Sequence, residues 1–184
     1  MTTMREPNAG FMLLEVLVTI VILAFGLLGL AGFQARTSVA EQESYQRVQA
    51  LLLVQDMVDR IYANRANAAT YVQDDIGSSG VALTTCGAMT GRDKDICEWN
   101  NALVGASETL GSNSVGTLLG GRGCITQGAA NEYIVTVVWQ GLMPTVAPAS
   151  TCGQGNYGNS ALRRSVSMRV QISTLAASAV PGGP

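Results

Sequence analysis

There is no histidine in the 184 residues. That absence removes Ser-His-Asp and Cys-His nucleophile activation, and every His-ligated metal site, in one step. Charge is scarce too: Asp, Glu, Lys and Arg make up 13% of the chain, about half the usual share, which excludes a disordered acidic or basic chain. With 11 Lys and Arg against 13 Asp and Glu, the net charge is -2, and no basic footprint for nucleic acid exists. Aromatic residues account for 5%. This composition leans away from an enzyme, and the length suggests one domain, or one small domain with an appendage.

What the chain does have is apolar sequence, unevenly spread. Val16 to Phe33 is an 18-residue run without a charge, and Phe11 to Ala35 is 25 residues interrupted only by Glu15. A bilayer core of about 30 Å needs about 20 helical residues, so this segment is long enough to span. No polar face of the kind a soluble core helix shows is visible in it. A cleaved secretory signal fits poorly: its apolar region is about 7–15 residues, follows a basic stretch and ends in an A-x-A-like site. Here Arg5 is offset by Glu6, the run is too long, and no convincing A-x-A closes it.

The start of the run carries a sharper signal. Gly10 is followed by Phe11, Met12, Leu13, Leu14 and Glu15, and then by the long apolar stretch. This resembles the prepilin processing site of the type IV filament superfamily: a short polar leader ending in Gly, then Phe, three further residues, Glu, and about 20 apolar residues. The resemblance implies cleavage between Gly10 and Phe11 by a membrane prepilin peptidase, with N-methylation of Phe11. It also implies a pilin-like α+β lollipop, in which a long N-terminal helix, half transmembrane and half amphipathic, packs on a small antiparallel β-sheet head. The expected divisions are 1–10 leader, 11–35 transmembrane and filament-core helix, 36–64 amphipathic continuation, 65–175 disulfide-stapled head, and 176–184 flexible tail.

Glu15 stands out on physical grounds as well. A carboxylate inside a membrane span costs about 2.5–3.5 kcal/mol on insertion scales, so it sits near the interface, is protonated, or is paired. The functional expectation is pairing with the amine of Phe11 on a neighbouring subunit in a filament core. Beyond the span, residues 34–64 hold neither Gly nor Pro and are good helix formers. Val48, Leu51, Leu52, Val58, Ile61 and Tyr62 are expected to form an apolar stripe, with Arg47, Asp56, Asp59 and Arg60 on the other side. A helix from Phe11 to Asn64 would be about 80 Å long at 1.5 Å per residue. Gly26, Gly29 and Gly32 within the span suit either close helix packing by small residues or local bending.

In the head, Cys97–Leu110 is expected as a short helix with Trp99, Leu103 and Leu110 inward. Tyr133–Trp139 and Arg163–Ser173 read as strands, the second with Val166, Met168, Val170 and Ile172 on one face, and the two as antiparallel neighbours. A third strand is placed near Gly123–Gln127, and the tail after Thr174 as a frayed end. Four cysteines beyond a membrane anchor argue for disulfides in an oxidising compartment. Three connectivities are possible. Cys86–Cys97, which closes a local loop, and Cys124–Cys152, which brackets the Tyr133–Trp139 strand, are favoured.

Catalytic or metal chemistry finds little support. Asp93-x-Asp95 with Glu98 lacks the ligand spacing and glycine of a calcium loop and reads as a solvated acidic loop. Gly120-Gly121-Arg122-Gly123 reads as a turn, and Gly153-Gln154-Gly155-Asn156 as a flexible connection. No catalytic residue, metal or cofactor is expected. Within the superfamily, Gly26–Gln34, Leu52–Arg65, Cys97-Glu98-Trp99, Gly123-Cys124 and the strand from Tyr133 to Trp139 resemble the PilV group of minor pilins. That resemblance implies a low-abundance subunit that primes pilus assembly. Its implied partners are other minor pilins, the major pilin, prepilin peptidase, the inner-membrane assembly platform and, before assembly, membrane lipid. The implied location is the inner membrane, single-pass with a periplasmic head, and then the pilus, at its tip. The alternatives are a minor pseudopilin of type II secretion, which shares the whole N-terminal argument, and a tip adhesion subunit.

Overall fold

The computed structural model describes residues 9–106, 109–110, 113–114 and 118–173. The chain divides into two compact units, Met1–Gln42 and Glu43–Pro184. Helix α1, Ala9–Ala63, contributes to both. In the first unit it is a bare helix, with every side chain from Leu13 to Val39 except Val39 itself exposed.

In the second unit, α1 from Glu43 onward packs on a four-stranded antiparallel sheet, the α+β arrangement expected from the sequence. The sheet runs β1 (Gln73–Ile76), β4 (Arg122–Gln127), β5 (Glu132–Gln140), β6 (Arg163–Gln171) in that order. A separate two-stranded pair joins β2 (Thr109–Leu110) to β3 (Asn113–Ser114). β5 is rich in β-branched residues, which suit a pleated, packed surface. It pairs β6 along nine residues, from Glu132–Gln171 to Gln140–Arg163, the adjacency expected from the sequence. Tyr133, Val135, Val137 and Trp139 point towards α1 and join Ile125, Val170 and Ile172 in the core.

The face of α1 that enters this core shares only Val58 and Ile61 with the stripe read from the sequence. Ala50, Val54, Met57, Val58 and Ile61 are buried, spaced by three and four residues as one helical face requires. Val48, Leu51, Leu52 and Tyr62 lie outside it, 41–58% exposed. Asp56 and Arg60, expected on the solvent side, are half-buried against the head. The helix carries apolar residues on two faces, and composition alone does not say which one meets the sheet.

The second helix, α2, is Gly91–Leu103 rather than the Cys97–Leu110 expected. It starts earlier because Arg92–Asp95 is polar but helical. It stops at Leu103 because Gly105, at φ 68°, takes the left-handed position. There Ala106 N–H donates to Asn101 O at 2.9 Å and Gly105 N–H to Ala102 O at 3.2 Å, the paired closure of a glycine-terminated helix. Trp99 and Leu103 are buried as expected; the side chain of Leu110 lies outside the described residues. The Asp93–Glu98 segment is therefore helix, not an acidic loop. Disulfides join Cys86 to Cys97 and Cys124 to Cys152, with Cα–Cα separations of 5.5 and 5.9 Å.

Candidate functional site

The candidate assembly segment is the N-terminal part of α1. Gly10 and Phe11 lie in its first turns, and Glu15 follows one turn after Phe11, exposed among exposed aliphatic neighbours. Leu13, Leu14, Leu17, Ile20, Phe25 and Phe33 are each 60–76% exposed. This is a helix long and apolar enough to cross a membrane. Thr19, inside the apolar run, donates its Oγ1 to Val16 O at 2.8 Å, and Thr37, just beyond it, donates to Phe33 O at 3.1 Å. In hydrocarbon, where no water is available, such satisfaction is required. A Cβ placed on Gly26, Gly29 or Gly32 meets no atom within 4 Å, so nothing in the chain itself requires glycine there.

The head is held to α1 by polar struts that the sequence reading did not assemble. Arg60 Nε donates to both oxygens of Asp56 at 3.0 and 3.1 Å, and its Nη1 to Asp95 at 3.2 Å and Glu98 at 2.7 Å. The hydrogen bond from Arg60, set against partial desolvation, holds the Glu98 carboxyl below its usual range. Tyr71 donates to Asp95 and accepts from Asn64 at 3.1 Å; burial first, then the bond to Asp95, push its hydroxyl pKa up. Trp99 Nε1 donates to Leu53 O at 2.8 Å and fastens α2 to α1. The signal was present, since acidic residues on α2 face Arg60, one of three arginines on α1. Pairing them needs tertiary knowledge that spacing does not supply.

A second strut lies at the far edge of the sheet. Glu43 Oε1 accepts from Leu142 N at 3.0 Å, Met143 N at 3.3 Å and Arg164 Nη2 at 3.1 Å. The loop after β5 is equally constrained. Arg163, 3% exposed, donates through Nη1 to the carbonyls of Ser150 and Cys152 at 2.5 and 2.6 Å, and through Nη2 to Pro148 O at 3.0 Å. Gly153–Asn156 is accordingly a pinned turn rather than the flexible connection expected, stapled by Cys124–Cys152 and flanked by Tyr157, whose hydroxyl donates to Gly120 O at 2.7 Å. Burial pushes the Tyr157 pKa up to about 12.

These clusters tie α2 and the post-β5 loop to α1 and the sheet through ion pairs and hydrogen bonds. The comparison with protein families then adds a finding from different residues. A family model described as Tt1218-like, Type IV pilin Tt1218, matches residues 32–97. The match covers just over a third of the chain, from Gly32 at the end of the apolar run through β1 to Cys97. It leaves out both the Gly10–Glu15 signature and the β4–β6 sheet, so it supports a pilin-type subunit independently of either. Type IV pilins are structural, non-catalytic subunits. Neither the curated proteins nor the solved structures yield a match to this chain.

Proposed function

We propose that this chain is a pilin subunit of a type IV filament, made as a prepilin, cut between Gly10 and Phe11, and held in the membrane by the apolar part of α1 until it joins a filament. The observation that carries this reading is the placement of Gly10-Phe11 and Glu15 at the head of an exposed apolar helix that continues into an α+β head. The pilin family match over residues 32–97 supports it from separate sequence. In this reading Glu15 pairs with the amine of Phe11 on an adjacent subunit. Removing both helices from lipid into each other's company offsets the cost of burying that carboxylate only if it finds such a partner.

The role within the filament follows the PilV resemblance: a minor pilin that helps prime assembly with other minor pilins and the major pilin, its head in the periplasm and then at the filament tip. Prepilin peptidase and the inner-membrane platform are its processing and assembly partners.

The deciding experiment deletes the gene and measures filaments sheared from the cell surface, alongside protein export. Loss of surface pili, restored by the wild-type copy, supports the priming role; intact pili with failed export moves the chain to a secretion pseudopilin. In the same strain Glu15→Val is expected to insert and be processed yet fail to enter filaments, and its normal incorporation would refute the pairing. Gly10→Ala is expected to leave an unprocessed precursor.

A further inference from the structure

The face of the sheet turned away from α1 holds a cavity of about 510 Å³ between the sheet and the pinned loop that follows β5. Its volume lies within the range of small-molecule sites, about 300–1,000 Å³. The floor comes from Thr126 of β4, Thr136 of β5 and Ser167 of β6, and the wall from Ser150, Gln154 and Asn156 of the loop. Asp74 and Asp75 of β1 line one side.

The lining restricts what it can hold. No lysine or arginine faces the cavity, since Arg163 turns all its bonded nitrogens to loop carbonyls behind the wall, so an anion has no partner there. Asp75 is taken by Arg122 at 3.0 Å, and no group of three His, Cys, Asp or Glu suited to a metal occurs among the described residues. Ile134, Ala149 and the Cys124–Cys152 disulfide give apolar patches between the polar groups, so a purely apolar ligand would leave the hydroxyl, amide and carboxylate groups unpaired. What remains is a dense set of neutral donors and acceptors. Thr136 and Ser167 bond each other at 2.9 Å, which leaves the pair one free O–H and unused lone pairs. Asp74 is exposed and has no hydrogen-bond or ion-pair partner among the described residues, so both its oxygens are open to adjacent hydroxyls.

The site is also built in advance. The Cys124–Cys152 bridge, the Arg163 bonds to three carbonyls and the Tyr157 bond to Gly120 fix the wall before anything binds. Preorganisation of that kind reduces the ordering cost of binding.

We propose that this cavity binds a neutral, hydroxyl-rich small molecule, a sugar unit, with Asp74 accepting from neighbouring ligand hydroxyls and Thr136, Ser167 and Gln154 completing the polar contacts. The site stands on the head alone and does not depend on the filament reading. The test is a backbone amide titration of the full, labelled chain in lauryldimethylamine oxide micelles, whose headgroup carries no sugar. The probes are galactose, N-acetylglucosamine and lactose, with putrescine as a cationic alternative. The expected result is a saturable shift of the Thr126, Thr136, Gln154 and Ser167 amides with at least one sugar, at a Kd of about a millimolar. Asp74→Ala and Thr136→Val, each checked for an unchanged spectrum outside the cavity, are expected to weaken that binding about tenfold, as loss of one well-made polar contact does. Ser167→Ala supplies a third variant should either of those fail to fold. No saturable shift with any sugar, equal binding by the variants, or a response to putrescine alone would overturn the proposal.

Discussion

Gly123 occupies the position where β4 meets the keystone of the core, and replacing it with alanine tests the packing directly. A Cβ there would sit 2.2 Å from Trp99 Cη2, 2.3 Å from Cζ3 and 3.0 Å from Leu103 Cδ1. Carbon atoms in contact rest about 3.5–4.0 Å apart, so the indole must retreat by more than about 1 Å. Trp99 is fully buried and its Nε1 is committed to Leu53 O at 2.8 Å, so the ring cannot retreat without breaking that bond. Overpacking costs about 1–3 kcal/mol, and orphaning a buried N–H another 1–3. Gly123→Ala is therefore expected to destabilise the head by about 2–6 kcal/mol. Urea unfolding of the full chain in detergent, followed by near-ultraviolet circular dichroism, measures it. The sharper readout is a cycle with Trp99→Leu, which removes the clashing ring at its own cost. The double mutant should be more stable than the sum of the singles predicts by about 1–3 kcal/mol. If the two changes add within about 0.5 kcal/mol, the steric argument is wrong.

Other consequences follow from the same geometry. Glu98 is held below its ordinary range by Arg60, so its contribution is present above about pH 4–5 and is lost as pH falls through the lowered folded value. Arg60→Met should flatten the acid limb of a stability–pH profile, and an unchanged limb would remove Arg60 as its cause. Tyr157 titrates near 12 rather than at its usual value near 10, so stability present below pH 10 is lost between about 10 and 12. Tyr157→Phe should lower stability at neutral pH through the lost bond to Gly120 while weakening that alkaline loss; pH-dependent thermal unfolding reads both. The bridges close loops with sequence separations of 11 and 28 residues, worth about 3 and about 3.5 kcal/mol in a chain-entropy account. Cys124→Ser/Cys152→Ser should be the more damaging pair in denaturant titrations, because it also frees the wall that Arg163 pins.

The sequence carried the gross design because its strongest signals are local. The apolar run, the β-branched Tyr133–Trp139 segment and the alternation from Val166 to Ile172 each need only neighbouring residues to be read. β1 escaped because Gln73–Ile76 is a four-residue edge strand with no apolar alternation, an irregular register and Asp75 at φ 60°. Val58 and Ile61 were read correctly, but the rest of the buried face of α1 was missed because Val48, Leu51 and Leu52 are as apolar as Ala50, Val54 and Met57, and only the sheet distinguishes the two sets. Gly105 was an available stop signal for α2, overlooked in favour of the apolar spacing to Leu110. The Arg60, Glu43 and Arg163 clusters join residues 35 to 121 positions apart or depend on backbone carbonyls, which no local pattern displays.

The isolation of the helix from Leu13 to Arg36 has a genetic corollary. Exposed side chains on a helix that forms its own compact unit contribute little to the folding of the head. Conservative substitutions there should leave steady-state protein level intact, so a defect they cause reports on a neighbouring molecule or on lipid. Substitutions at Trp99, Gly123 or Arg60 act first on abundance. An alanine scan scored for both protein level and filament incorporation should therefore fall into two separate groups, with a boundary near Glu43.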